Sequence, residues 1–304
     1  MQRILDPARI EAFAHRSIPR VRLPDRSRVF LKRAQRLRAL GQHGLGQSIG
    51  EYLALMAALA EAQHTALATL EPASPGSAES KPHRLAAATA DARRDARWQT
   101  ILAALCEPIA GGSEFSIAVR EICTGLRAAP VEDLDSQAAA LLSNDPRARD
   151  AAAAPFVMAS LQVCWTERAA ALTAEAVVDP GIPGVCPVCG TLPVASIVRV
   201  DQGSQGYRYL HCPLCASEWH MVRVTCSQCQ NTDGITYHSI EGGSEAIRAE
   251  SCDRCRCYRK IFYQEKDMGV EPVADDLASL ALDLLMSEAG YHRASGNPLL
   301  WQRP

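Results

Sequence analysis

The sequence predicts an α+β protein: a mainly α-helical N-terminal domain, then two tandem rubredoxin-like or zinc-ribbon β-units, then a C-terminal helix. Three observations carry that prediction. Apolar residues recur at helical spacing through the first 180 residues. Four C-x-x-C pairs crowd into residues 186–255, and β-rich sequence replaces alanine-rich sequence at a Pro/Gly boundary. The expected division is 1–180 (helical domain), 181–224 and 225–268 (one four-cysteine unit each), and 269–304 (a C-terminal helix and tail packed on the body). With 304 residues the chain has also outgrown a single core, since cores stop growing near ~250–300 residues.

Helical spacing begins near residue 25, with Val29, Phe30, Ala34, Leu37 and Leu40 on one face. Leu53, Met56, Ala57, Leu59 and Ala60 form a second face. The stretch E-P-A-S-P-G-S-A-E-S-K-P-H (71–83) carries the Pro, Gly and Ser of a flexible loop. Helical patterns resume at 91–106, 114–127 and 131–142, and an alanine-rich run covers 147–178. Cys123 and Cys164 sit among apolar residues of these helices and read as small core hydrophobes.

At D-P-G-I-P-G (179–184) two prolines and two glycines end the helix. Strand patterns follow at 194–200, 206–211, 219–224, 234–240, 246–250 and 258–263. After Gly269 a helix returns, with Asp275 or Asp276 as its expected cap. Its expected apolar stripe is Leu277, Leu280, Ala281, Leu284 and Leu285.

Composition narrows the function classes. At 47% hydrophobic and 22% charged residues, the chain can bury a core and is neither disordered nor fibrous. No apolar run approaches the ~18–20 residues of a membrane span. The N-terminal residues mix acids and bases where a signal peptide needs an apolar stretch, so the cytosol is the expected address. The net charge of −2 is unevenly spread: residues 1–40 hold eleven Arg/Lys against three acids, and the last 34 hold five acids against Arg293 and Arg303. The basic N-terminal region reads as the solvated face of a helix.

The twelve cysteines are the most informative feature. Cys106, Cys123 and Cys164 are scattered, whereas nine fall between 186 and 257, a cluster that in a reducing compartment reads as metal binding or redox chemistry. Eight of the nine form the pairs Cys186/Cys189, Cys212/Cys215, Cys226/Cys229 and Cys252/Cys255. A shift of forty residues lays the first two pairs on the last two and D-Q-G-S-Q-G-Y-R (201–208) on E-G-G-S-E-A-I-R (241–248). Two residues between cysteines let one tight turn aim both thiolates at a single ion. Two such turns complete a tetrahedron with metal–sulfur distances of ~2.3 Å. A β-unit of about forty residues also needs the stabilisation a metal supplies.

A duplicated unit should hold a complete site. The expected ligand sets are therefore Cys186, Cys189, Cys212 and Cys215 for one ion, and Cys226, Cys229, Cys252 and Cys255 for the other. Iron and zinc both suit four thiolates. A saturated site leaves no position for a metal-bound water, which argues against hydrolytic metal catalysis. Cys257 reads as a spare thiol on the neighbouring strand, with a rival ligand or redox-active thiol as the alternative. His211, His220 and His238 read as strand-face residues.

Two signals are misleading by context. G-Q-S-I-G (46–50) matches a nucleophile elbow around Ser48, but that motif needs a strand-to-helix turn on a parallel sheet, and the residues before it are helical. The glycines at 41, 44, 46 and 50 fail as a dinucleotide loop for the same reason. Zinc ribbons often bind nucleic acid, yet residues 181–270 hold nine basic and nine acidic side chains. Two four-thiolate sites would make that region net negative, without the cationic surplus that phosphate binding requires.

The stretch R-Y-L-H-C-P-L-C-A-S-E-W-H-M-V-R-V-T-C-S-Q-C (208–229) resembles the formate dehydrogenase accessory protein family, FdhE. So do Y-Q-E-K-D (263–267), V-A-D-D-L-A-S-L (273–280) and G-Y-x-R-x-S-x-N-P (290–298). The helical part is similar more loosely, in R-A-Q-R-L-R-A-L (33–40) and E-Y-L-A-L-M-A-A-L (51–59). The resemblance implies a non-enzymatic cytosolic helper that binds the molybdenum-containing catalytic subunit of respiratory formate dehydrogenase before export. It also implies iron in rubredoxin-like sites at the eight paired cysteines. The last pair departs from the family pattern, with Arg256 and Cys257 where a glycine is usual. Three roles follow: a maturation chaperone, an electron carrier or thiol redox sensor, and a zinc-ribbon nucleic-acid binder.

Overall fold

The computed structural model describes residues 18–42, 49–71, 97–143, 150–201 and 203–300. A helical region comes first, then one sheet carrying both cysteine clusters, then two short C-terminal helices. Ser48, the candidate elbow nucleophile, lies outside the described residues.

The helical region contains α1 (Val29–Gln42), α2 (Gly50–Thr69), α3 (Arg97–Gly111), α4 (Ile117–Ala128), α5 (Val131–Leu142) and α6 (Ala154–Ala170). The α1 and α2 stripes face the core as their spacing requires, with Phe30, Ala34, Leu37, Leu53, Met56 and Leu59 buried. Glycines let these two helices approach: a Cβ on Gly50 would stand 2.9 Å from the Gly41 carbonyl oxygen. That contact is the role of two glycines in the dinucleotide-like run. α4 starts one turn later than its periodicity suggests because Ser116 caps it, accepting from Val119 N at 3.4 Å.

α6 is shorter than the alanine-rich run. It ends at Ala170, and only a 3₁₀ turn at Ala174–Ala176 follows. Every residue from Ala154 to Glu167 is buried, so α6 is the central rod of the helical region. Its one mid-helix amide has a structural use. Gln63 of α2 donates to Gln162 Oε1 at 2.8 Å, and Gln162 donates to the Pro213 carbonyl at 2.8 Å, inside the second C-x-x-C turn. The helical region is thus hydrogen-bonded directly to the cysteine module.

The sheet contains β1 (Val21–Arg22), β2 (Ala195–Val198), β3 (Arg208–His211), β4 (Glu218–His220), β5 (Ile235–His238), β6 (Ile247–Cys252), β7 (Cys257–Tyr263) and β8 (His292–Arg293). Its order is β1-β4-β3-β2-β7-β6-β5, with β8 also pairing β7. Shifting β2, β3 and β4 by forty residues places them on β5, β6 and β7, so the sequence repeat is a repeat of three-stranded antiparallel units. The two units share one sheet through a parallel β2–β7 pairing, Ile197 opposite Phe262. β1 covers the outer edge of β4, as β2 covers the equivalent edge of β7. An edge strand without such cover would be a template for aggregation.

The C-terminal helix differs from its expected form. α7 (Pro272–Ala278) and α8 (Leu280–Glu288) are separate helices meeting at Ser279. The cap is Glu271, which accepts from Ala274 N at 2.7 Å with Pro272 opening the first turn. Asp275 and Asp276 are fully buried ion-pair partners instead of caps. The break is held by Lys260, whose Nζ donates to the Asp276 and Ser279 carbonyls at 2.8 and 3.0 Å. Because the break re-phases the helix, Leu282 and Met286 turn inward, while Leu284 and Leu285 are exposed.

The uneven charge distribution is resolved within the chain. The basic α1 face is partly buried: Arg33 pairs with Glu271 at 3.1 Å, and Arg36 pairs with Asp275 and Asp267 at 2.6 and 2.7 Å. The basic start and the acidic end of the chain therefore recognise each other through Arg33 and Arg36, which corrects the solvated-face reading for those two residues, while Arg28, Lys32 and Arg38 are exposed as it expects.

Candidate metal centres

Each C-x-x-C pair folds as the same tight turn. The residue after the second cysteine donates its N–H to the first cysteine's carbonyl: Gly190 at 2.8 Å, Ala216 at 3.1 Å, Gln230 at 2.9 Å and Arg256 at 2.9 Å. All four sit in the left-handed region, at φ of +78°, +56°, +61° and +55°. Only Gly190 has the residue that adopts this conformation without strain. Arg256 is therefore one of three non-glycine residues bearing the same strain. Its guanidinium stacks 4.0 Å from the Tyr291 ring centroid, which helps to hold it.

These turns bring the eight paired cysteines into two groups, divided as the forty-residue repeat predicts. Within each group all four sulfurs lie within 4.8 Å of one another. In the first, Cys186 and Cys215 sulfurs are 3.6 Å apart and those of Cys189 and Cys212 are 3.3 Å apart. In the second, Cys226–Cys255 and Cys229–Cys252 are both 3.6 Å. A tetrahedron with ~2.3 Å metal–sulfur bonds has edges of ~3.8 Å, so both groups fit a four-thiolate ion closely. None of these sulfurs is in a disulfide. Either group could hold iron or zinc.

The surroundings suit thiolates. Cys215 N lies 3.4 Å from Cys212 Sγ, and Gln228 N lies 3.4 Å from Cys226 Sγ. Hydroxyls of Thr191 and Ser217 stand 3.3 Å from Cys189 and Cys215 sulfurs. Burial pushes the Cys186 and Cys212 thiols well above the ordinary thiol range. Clustered buried sulfurs become thiolates together only around a compensating cation.

The remaining cysteines are placed outside both groups. Cys257 opens β7, with its Sγ 3.5 Å from the Cys255 carbonyl oxygen, and its backbone N–H supports the Cys255 sulfur. Cys106, Cys123 and Cys164 are buried in the helical core. Cys106 and Cys123, seventeen residues apart in sequence, share a thiol–thiol hydrogen bond, which with burial raises the Cys106 thiol.

Polar networks that no motif announced surround the centres. His211 Nδ1 and Glu218 Oε1 are 3.0 Å apart, and Arg199 makes two hydrogen bonds to the same carboxylate, one of them 3.0 Å. Burial would raise the Glu218 carboxyl, but the Arg199 charge and the His211 and Arg199 hydrogen bonds outweigh it and hold the group far below the usual carboxylate range. Across the seam between the units, Arg208 of β3 pairs with Glu250 of β6 at 2.8 Å, both nearly fully buried. Alternation along these short strands gives no hint that a charge faces inward, so only their pairing reveals these contacts. His220 and His238 are strand residues, and His238 is bound to Ser251 at 2.8 Å.

A helical region hydrogen-bonded to a duplicated β-module, each half carrying a four-cysteine cluster that could hold a metal ion, defines a class of proteins with paired candidate metal sites. Comparison with known proteins makes the assignment specific. Three family profiles match in succession, FdhE N-terminal over residues 18–181, FdhE central domain over 185–223 and FdhE C-terminal domain over 224–300. The chain belongs to the FdhE family. It is 41% identical over 286 residues to an FdhE homolog of Edwardsiella ictaluri, covering 92% of this chain and 90% of that one. It is 38% identical over 299 residues to FdhE of Escherichia coli K12, covering 93% and 92%. The crystal structure of FdhE from Pseudomonas aeruginosa superposes with a TM-score of 0.78 at 35% identity, covering 93% of this chain and 99% of that one.

Proposed function

We propose that this protein is a maturation factor for respiratory formate dehydrogenase, and that it binds the molybdenum-containing catalytic subunit in the cytosol before export without catalysing a reaction itself. The observation that carries this reading is the joint presence of three successive FdhE matches and two complete four-sulfur cages. The eight paired cysteines hold two ions, iron in the family's pattern, with zinc equally suited to the donor set. When bound, such an ion supplies rigidity and, if iron, a one-electron couple. The chain's own residues fix the turns, exclude water from the first cage and order the sheet. The segments 1–180, 181–224, 225–268 and 269–304 act as its helical domain, two metal units and closing helices.

No helix among the described residues is long and apolar enough to cross a membrane. One surface feature supports a docking role. Beside β1 and β4, a cleft of about 610 Å³ is lined by Val21, Val177, Val185, Trp219 and the exposed Ile182 and Val222, a surface that an apolar partner segment would cover. Affinity purification of the full chain from cells making formate dehydrogenase tests the reading. The catalytic subunit is expected to co-purify, and to be lost when Cys252 and Cys255 are replaced by serine. Absence of the subunit from the unaltered protein's eluate overturns it.

A further inference from the structure

We infer that the two four-thiolate centres are unequal: the first is locked in the core, and the second is the one whose metal exchanges with solution. This rests on the reading that the eight paired cysteines hold two ions. The inequality is built from burial, anchoring and flanking residues, which all point the same way.

All four sulfur-bearing residues of the first group are buried, at 2% exposure or less, and belong to the same apolar core as the helical region. Val188 and Leu214, inside the two turns, are part of that core as well. The second turn is pinned from behind by Gln162 of α6, itself 1% exposed and held by Gln63. Freeing Cys212 or Cys215 disturbs the turn that Gln162 ties to α6, and freeing Cys186 or Cys189 opens the apolar core that all four share, an opening larger than a local fluctuation of one exposed loop.

The second group lacks that cover. Cys229 and Cys255 are partly exposed, and neither Cys226 nor Cys252 belongs to an apolar cluster. Exposed Gln228, Gln230 and Arg254 flank the sulfurs, and β5, which borders the group, is the outer strand of the sheet. Behind the turn lies a cavity of about 10 Å³ lined by Cys226, Cys252, Cys257 and Arg259, room for one water. An incoming ligand can therefore replace Cys229 or Cys255 one sulfur at a time while the core stays closed. A small local opening suffices, and such openings are far more frequent than global ones.

The test uses the full chain loaded with zinc, its content measured first, then mixed with excess chromogenic chelator. Two ions per chain are expected to leave in two phases of equal amplitude. The slow phase should be at least ~10-fold slower, the factor that corresponds to ~1.4 kcal/mol in opening free energy. Cys255→Ser should abolish the fast phase and keep one slowly released ion. Timed thiol alkylation of the unaltered protein, read by mass spectrometry, needs no variant: Cys229 and Cys255 are expected first, and Cys186, Cys189, Cys212 and Cys215 last. Two ions leaving at one rate, or alkylation of the first group as early as the second, overturns the inference. Fewer than two ions bound per chain overturns the metal reading on which it stands.

Discussion

Replacing Glu250 by Gln probes the seam between the two metal units. The Arg208 guanidinium has no exposed side-chain surface and Glu250 has 3%. Arg208 also donates to Ser196 Oγ at 3.1 Å and to the Thr225 carbonyl at 3.0 Å, while Tyr237 donates to Glu250 Oε2 at 2.9 Å. These contacts tie β2, β3, β5 and β6 together. Removing the carboxylate charge leaves Arg208 and the equally buried, like-charged Arg259 with no counter-ion between them. Breaking a buried pair on one side costs ~3–5 kcal/mol, against a total stability of ~5–15 kcal/mol. With urea m-values of ~1–3 kcal/mol/M, the unfolding midpoint should fall by at least ~1 M. Combining Arg208→Met with Glu250→Leu should recover most of that loss, because neither charge is then stranded. Ultraviolet titration gives a second readout. Burial and the Glu250 charge raise the Tyr237 hydroxyl pKa, so it should fall in the Gln variant. A cost below ~1 kcal/mol, the worth of an exposed ion pair, would refute the reasoning.

Two further predictions concern the first unit and its link to the second. Glu218 is held below its ordinary value, so its stabilising contribution is complete above pH ~4.3 and disappears only as pH falls through the depressed folded value. The stability gap between the unaltered protein and Glu218→Gln, measured by denaturation from neutral pH downward, should therefore persist through pH ~4.3 and close below it; a gap that closes between neutrality and pH 5 contradicts this. Gly184→Ala would place a Cβ 2.6 Å from the Ser227 carbonyl oxygen, in the third C-x-x-C turn. It should cost ~1–3 kcal/mol of stability and speed metal release from the second centre. Unchanged melting and release would show that the approach of this linker to the turn is dispensable.

Much of this molecule is written locally. A C-x-x-C turn needs four or five residues, and its ligand geometry follows from that turn, so both cysteine groups are legible from spacing and from the forty-residue repeat. The strands β2 to β7 and the helices α1 to α5 likewise follow from short-range periodicity. The break between α7 and α8 is not local in origin: the pattern over Leu277–Leu285 is helical, and the Lys260 side chain, supplied by β7, marks the break at Ser279. The nearest sequence signal to the seam, Arg208 within R-Y-L-H-C, says nothing of Glu250, forty-two residues away.

The sequence by itself determined the helical start, the duplicated β-unit and the two four-cysteine groups, because each is encoded in residues that are neighbours along the chain or in the forty-residue repeat. Only the tertiary structure decided that the two units share one sheet through β2 and β7, that basic α1 embraces the acidic α7 region, and that one cysteine group lies in the apolar core beside α6 while the other is partly exposed. Those outcomes depend on which distant surfaces meet and on the desolvation each contact imposes, quantities that periodicity and spacing do not contain.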